Sequence, residues 1–175
     1  MNQPAIPLVI AAALLGACAT SAPADALLGR GQFKQADGAS AGTVELFQRD
    51  GRVFLRLSLS GLEPGTRALH LHQQGKCDAP DFMSSGGHLN PFGKSHGRLS
   101  ETGQHLGDLP NIEVTPSGKL EVELEIETTS SSLVPHVFDA DGTSVMIHAG
   151  ADDYRTDPTG GAGARIACAV LSQPT

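Results

Sequence analysis

Between Lys119 and Glu127 the sequence KLEVELEIE alternates apolar and acidic residues without a break. On an extended chain Leu120, Val122, Leu124 and Ile126 point one way, and Glu121, Glu123, Glu125 and Glu127 point the other. That pattern suits a strand in an antiparallel sheet with one face in the core and one in water. The stretch RVFLRLSLS (52–60) repeats it with Val53, Leu55, Leu57 and Leu59, and it follows Asp50-Gly51, a strong hairpin-turn pair. The strand before that turn is TVELFQ (43–48), and further strands are expected at 27–35, 66–72, 144–148 and 165–171. No segment offers sustained helical spacing. Seven or eight short strands predict a sandwich or flattened barrel, with two long unpatterned stretches, 73–111 and 149–164, of the kind that carry function.

At 175 residues the chain suits one domain, and 21 Gly and 11 Pro suit many turns and ordered loops. The net charge of −7 is scattered, with no run of Lys or Arg to track phosphates, so no nucleic-acid partner is expected. The first residues differ from the rest: IPLVIAAALLGA (6–17) is uncharged, short for a bilayer span, and stops at Cys18. This reads as an export segment. LLGAC resembles a lipobox, in which a small residue precedes a cysteine that is diacylated and becomes the mature N-terminus. The resemblance implies a lipoprotein-type signal peptide over 1–17, lipidation at Cys18, a tether over 18–26 and a folded domain over 27–175. Ala19 matches a protein that is not retained at the inner membrane, which implies a periplasmic domain lipid-anchored to the outer membrane. Residues 2–5 carry no Lys or Arg, and cleavage near Ala22 to Ala26, leaving a soluble periplasmic protein, is the alternative. With Cys18 set aside, Cys77 and Cys168 form an even pair in an oxidising compartment and are expected to be disulfide-bonded.

The run ALHLHQQGKC (68–77) places His70 and His72 on one face of a strand while Leu69 and Leu71 face the core. Two imidazoles so spaced can share a metal ion, and an ordinary surface pair has the same spacing. GGHLNPFGKSHG adds His88 and His96, GQHLGDLPN adds His105 and Asp108, and MIHAGADD adds His148. Six of the seven histidines therefore fall at strand ends or in loops.

The stretches LHLHQQGKC, GGHLNP, KSHG, HLGDLPN, MIHAGADD and GGAGARIACAV, in this order from about Leu27 to Leu171, closely resemble the copper,zinc superoxide dismutases, specifically the exported bacterial type. The resemblance implies an all-β fold, a Greek-key antiparallel β-sandwich or flattened eight-stranded barrel with two long functional loops. It implies one copper and one zinc per subunit. The copper ligands would be His70, His72, His88 and His148; the zinc ligands would be His88, His96, His105 and Asp108, with His88 bridging the two ions. Four nitrogens suit copper, and three nitrogens with a carboxylate suit zinc. Asp152 matches the acid that ties a copper histidine to a zinc histidine. Arg165 matches the arginine at the copper opening, where a local positive charge offsets the repulsion of superoxide by a net −7 chain. Arg165 and His88 are the expected catalytic residues, and superoxide is the expected partner.

His136 matches no ligand and reads as a solvated turn histidine, while TTSSSLVPH around it reads as a polar connection. The loop GADDYRTDPTGG, where the family carries its electrostatic guides, is short here and has no lysine; Lys94, near His96, is a substitute by analogy. A membrane contact is expected only through the N-terminal lipid, and both a monomer and a homodimer stay open. Two rival readings are a metal-buffering protein, which would need the histidines but not Arg165, and a structural or chaperone relative with a dead site, which would lack ligands.

Overall fold

The structure, a computed structural model, describes residues 24–175. The signal segment 1–17, Cys18 and most of the tether 18–26 lie outside the described residues. Among the described residues nine strands form in chain order: β1 (Ala26–Gln35), β2 (Ser40–Arg49), β3 (Arg52–Leu59), β4 (Gly65–Arg67), β5 (Leu69–His72), β6 (Ile112–Val114), β7 (Leu120–Thr129), β8 (Ser144–His148) and β9 (Arg165–Val170). Seven make one sheet in the order β5-β8-β9-β1-β2-β3-β7, and β4 pairs with β6 in a second. All the pairings are antiparallel. The hairpin expected at Asp50-Gly51 forms with both residues at positive φ, 51° and 78°, as a two-residue turn between twisted strands demands.

Period-2 patterning sets the faces. Val53, Leu55, Leu57 and Leu59 of β3 are buried against Val44 and Leu46 of β2, Phe33 of β1, and Leu69 and Leu71 of β5. On the wet face β3 and β7 lie in register with Arg56 opposite Glu123. The Arg56 guanidinium also reaches Glu45 and Asp25 and sits 4.4 Å above the Phe47 ring, so a cation covers an aromatic on the outer surface.

Three expectations need correction. The single strand at 66–72 is two strands in different sheets, because Ala68 is drawn aside: its N–H donates to Gly150 O at 2.8 Å and its carbonyl accepts from His148 N at 3.0 Å. The expected polar connection TTSSSLVPH (128–136) runs into a helix, α1 (Ser130–Val137), whose Leu133 and Val137, one turn apart, are fully buried in the core. His136 is therefore a half-buried helical residue, its ring 5.5 Å from that of Phe92, and not a turn histidine.

The stretch 73–111 is anchored along the free edge of β5. Leu71 N donates to Gly107 O at 2.9 Å, Leu89 N to Leu71 O at 2.8 Å and Gln73 N to Gly87 O at 3.0 Å. These bonds bring His88 beside His72 and Asp108 beside His70.

Candidate metal centre

The alternation of β5 puts His70 and His72 on the face opposite Leu69 and Leu71, and both histidines are fully buried beneath the stretch 73–111. β8 pairs along the other edge of β5 and delivers His148 at its end, where a register shift against β9 sets His148 opposite Arg165. With His88 from the long stretch, four imidazoles converge. One nitrogen from each of His70, His72, His88 and His148 lies within 4.8 Å of the others.

The rings are oriented from behind. His70 Nε2 is 2.8 Å from Asp152 Oδ2, His72 Nδ1 is 3.0 Å from Gly86 O, and His148 Nδ1 is 3.2 Å from Gly163 O. A carbonyl only accepts, so the nitrogens facing Gly86 and Gly163 carry the ring proton. The inward nitrogens, His70 Nδ1, His72 Nε2, His88 Nε2 and His148 Nε2, are buried and have no hydrogen-bond partner among the described residues. Burial, foremost, pushes His72 down to about 2, His148 to about 3 and His88 to about 4, so all three are neutral and available as ligands near pH 7.

His88 turns its other nitrogen to a second group. Asp108 Oδ1 lies 2.9 Å from His88 Nδ1, 3.1 Å from His96 Nδ1 and 3.1 Å from His105 Nδ1, and the His88 and His105 Nδ1 atoms are 3.4 Å apart. A tetrahedron of ligands at zinc distances has edges of about 3.4 Å, so this spacing is close to what a small divalent cation requires. Asp108 spends its Oδ2 on the N–H groups of Gly97 and His105, at 2.8 and 3.0 Å, leaving Oδ1 to face the nitrogens. Burial works against its charge, yet the three histidines and Gly97 N–H hold its carboxyl well below the usual range. His96 Nδ1 is off the line of a hydrogen bond and stays unpartnered. Burial lowers His96, and the two carboxylates of Asp108 and Asp152 outweigh it and raise the ring to about 9.

Asp152 joins the groups: Oδ2 meets His70 at 2.8 Å and Oδ1 meets His96 Nε2 at 2.9 Å. Its own shift is downward, against the opposing effect of burial, through those two contacts and the Tyr154 N–H. Gly160 roofs this bridge: a Cβ there would stand 1.9 Å from Asp152 Oδ1.

Arg165 donates through Nη1 to Phe82 O at 2.8 Å and Ser85 Oγ at 2.9 Å, and through Nη2 to Gly86 O at 2.7 Å. The segment it grips is fastened to its own strand by the disulfide Cys77–Cys168, with a Cα–Cα separation of 5.7 Å. The pairing expected from cysteine counting is thus present. Lys94 lines a cavity of about 240 Å3 with Arg98, Gln104, His105 and Asp108, beside the second group. In the short loop Asp157 is a support, its Oδ1 accepting from His96 N at 2.6 Å, and Asp153 caps the turn at Arg155 and Thr156.

Sequence reasoning missed Asn111, whose side chain accepts from Asp152 N at 2.8 Å and donates to Asp152 O at 2.9 Å. Its one signal was its position, three residues after Asp108. Ser85 was missed too; its hydroxyl is 3.2 Å from His72 Nδ1.

The donor set fits two ions: four unpartnered nitrogens for one, and three nitrogens with a carboxylate oxygen for the other. The family model for copper/zinc superoxide dismutase (SODC) matches residues 40–171. The chain is 43% identical over 137 residues to "Superoxide dismutase [Cu-Zn] 1" of Aquifex aeolicus, covering 77% of this chain and 81% of that one. It is 40% identical over 142 residues to a superoxide dismutase [Cu-Zn] of Caulobacter vibrioides, covering 79% and 82%. Among solved structures, a double mutant of a SOD-like protein from Bacillus subtilis superposes with TM-score 0.78 at 38% identity, covering 83% of this chain and 98% of that one.

Proposed function

The chain belongs to the copper/zinc superoxide dismutase family, whose members are copper- and zinc-dependent oxidoreductases, and we propose from that premise that it disproportionates superoxide in the cell envelope. Copper would be held by His70, His72, His88 and His148, and zinc by His88, His96, His105 and Asp108. The observation that carries this reading is the shared ring of His88. Its Nε2 is unpartnered within the first group while its Nδ1 is 2.9 Å from Asp108 in the second.

The overall change is two superoxide ions and two protons to one O2 and one H2O2. Bound copper supplies the one-electron chemistry in both directions, and bound zinc a fixed positive charge. The rest falls to this chain's own groups. Arg165 sets a guanidinium beside His72 and His148, where it draws a small anion against the repulsion of the chain's net charge. Its three hydrogen bonds, all to uncharged oxygens of residues 82–86, hold it there, and no carboxylate pairs with it directly among the described residues, Asp81 acting on it only at longer range. His88 Nε2, buried and without a hydrogen-bond partner among the described residues, would carry a proton towards the reduced product. Asp152 keeps the rings of His70 and His96 from turning while this happens.

Export is supported by the uncharged run 6–17 and by the Cys77–Cys168 disulfide, which belongs to oxidising compartments. A lipid on Cys18 would leave a tether to residue 26 and hold the domain, residues 27–175, at the outer membrane; the intact mass of the membrane-extracted protein tests this. For the activity, superoxide decay is measured on the mature domain together with copper and zinc per chain. About one of each with fast, cyanide-sensitive turnover is expected. Both metals bound with no turnover would leave a metal-buffering protein.

A further inference from the structure

Tyr154 is the chain's single tyrosine, and the chain has no tryptophan. Its backbone sits at φ 61°, in the left-handed region that an aromatic residue rarely adopts. Such a conformation persists where the surroundings over-determine it, and here three contacts do. The Tyr154 N–H donates to Asp152 Oδ1 at 2.6 Å, its carbonyl accepts from Leu99 N at 3.1 Å, and its phenol oxygen accepts from Asn111 N at 2.7 Å. Asn111 in turn clasps the Asp152 main chain with both ends of its amide. The approach to the His96 segment is close enough to require glycine at 97: at φ 101°, a Cβ there would lie 2.0 Å from Tyr154 O. One half-buried residue thus joins three segments, those that carry His96, Asp108 and Asp152.

The geometry points to Tyr154 as a positioning residue for the second group of ligands: its phenol oxygen fixes Asn111, Asn111 fixes Asp152, and Asp152 aims His96. This rests on the reading of His88, His96, His105 and Asp108 as the zinc site. Only the phenol link depends on the side chain, since the other two contacts are made by the backbone. Without it the Asn111 N–H loses its acceptor and the Asp152 segment loses one of its ties. The first group meets this chain of contacts at His70 alone, whereas the second meets it at His96 and, three residues before Asn111, at Asp108, so the first depends on it less.

The test is Tyr154→Phe in the full metal-loaded protein, which keeps the ring and removes the acceptor. Zinc release to a chelator should be about three- to tenfold faster, as loss of one hydrogen bond of ordinary strength gives. Co(II) placed in the second group should show altered visible bands, and copper retention should stay within about twofold of the parent. Parent-like zinc release with parent-like Co(II) bands would overturn the inference. Zinc and copper loosened equally would overturn it too, since that marks general loosening. If the parent protein takes up no zinc at this group, the zinc reading itself fails, a result separable from parent-like behaviour of the variant. A second measurement needs no variant: emission from the lone tyrosine of metal-free protein should change as zinc is added and level off at one zinc per chain. A flat response would contradict the coupling.

Discussion

Arg165 and His72 meet on one carbonyl oxygen, that of Gly86, at 2.7 Å from the guanidinium and 3.0 Å from the imidazole Nδ1. The charge proposed to attract superoxide and a ring proposed to hold copper are therefore seated on the same peptide group. The segment bearing it is stapled to β9 through Cys77–Cys168, three residues beyond Arg165.

Replacing Arg165 by Glu should lower the rate with superoxide by at least about tenfold, the lower end of what local field steering supplies. Arg165→Lys keeps the charge but loses the fork that spans Phe82, Ser85 and Gly86, and it should fall between the two. Stopped-flow decay of superoxide with copper and zinc measured on the same samples decides it. A parent rate in the Glu variant would remove Arg165 from the mechanism.

Asp152→Asn preserves shape while leaving one oxygen to serve two ring N–H groups. Its NH2 must then face either His70 or His96, and that ring loses its acceptor. Zinc affinity is expected to fall about 10- to 100-fold, read by competition with a chelator. Zinc and copper affinities both unchanged would mean that the rings of His70 and His96 are oriented by something else.

In the metal-free protein, stability should peak near pH 6.5. The rings of His72, His88 and His148 titrate at about 2, 4 and 3 when folded, chiefly through burial, against 6.5 for an ordinary histidine. As pH falls below 6.5 the unfolded chain takes up protons that the folded chain refuses, so each such histidine removes up to about 1.4 kcal/mol per pH unit. His96 acts in the other direction. Burial opposes its charge, the carboxylates of Asp108 and Asp152 prevail, and its contribution is whole below 6.5 and lost as pH rises through about 9. Urea midpoints at about pH 5, 6.5 and 9 should therefore be highest in the middle. A midpoint that rises from 6.5 towards 5 would contradict the burial of these rings.

Gly160→Ala should cost about 2 kcal/mol or more, because it combines a positive φ of 64° with a Cβ 1.9 Å from the Asp152 carboxylate. Gly38→Ala, also at positive φ but with nothing within 4 Å, should cost about 1 kcal/mol. Equal losses in denaturant midpoint would show that the roof over Asp152 yields easily.

The strands were legible because a sheet with one wet face writes itself as alternation, and β3 and β7 carry that alternation over their whole length. Helix α1 was not, since SSSLVPHV has only Leu133, Val134 and Val137 as apolar residues around Pro135; the core it plugs makes it a helix, not its propensity. β6 is three residues long, too short for a period. The ligand groups came from the resemblance, through the order of their motifs, because residue type and spacing alone left His70 and His72 open between a metal site and an ordinary surface pair. Their supports escaped because Gly86 and Gly163 act through carbonyls, and Asn111 and Tyr154 are residue types that usually mean a turn or a surface.

The pairing of residues 87–89 and 107–108 along β5 has a meaning beyond geometry. Leu69–His72 is an edge strand of the main sheet, and the segments that carry His88 and Asp108 cover its open side. Lifting them would uncover a short, wholly buried edge with free N–H and C=O groups, ready to template another chain. A metal ion that drew His88 and Asp108 together would clamp those segments down and so guard the edge against pairing with a second copy. Solubility would then depend on these buried groups as much as on the surface.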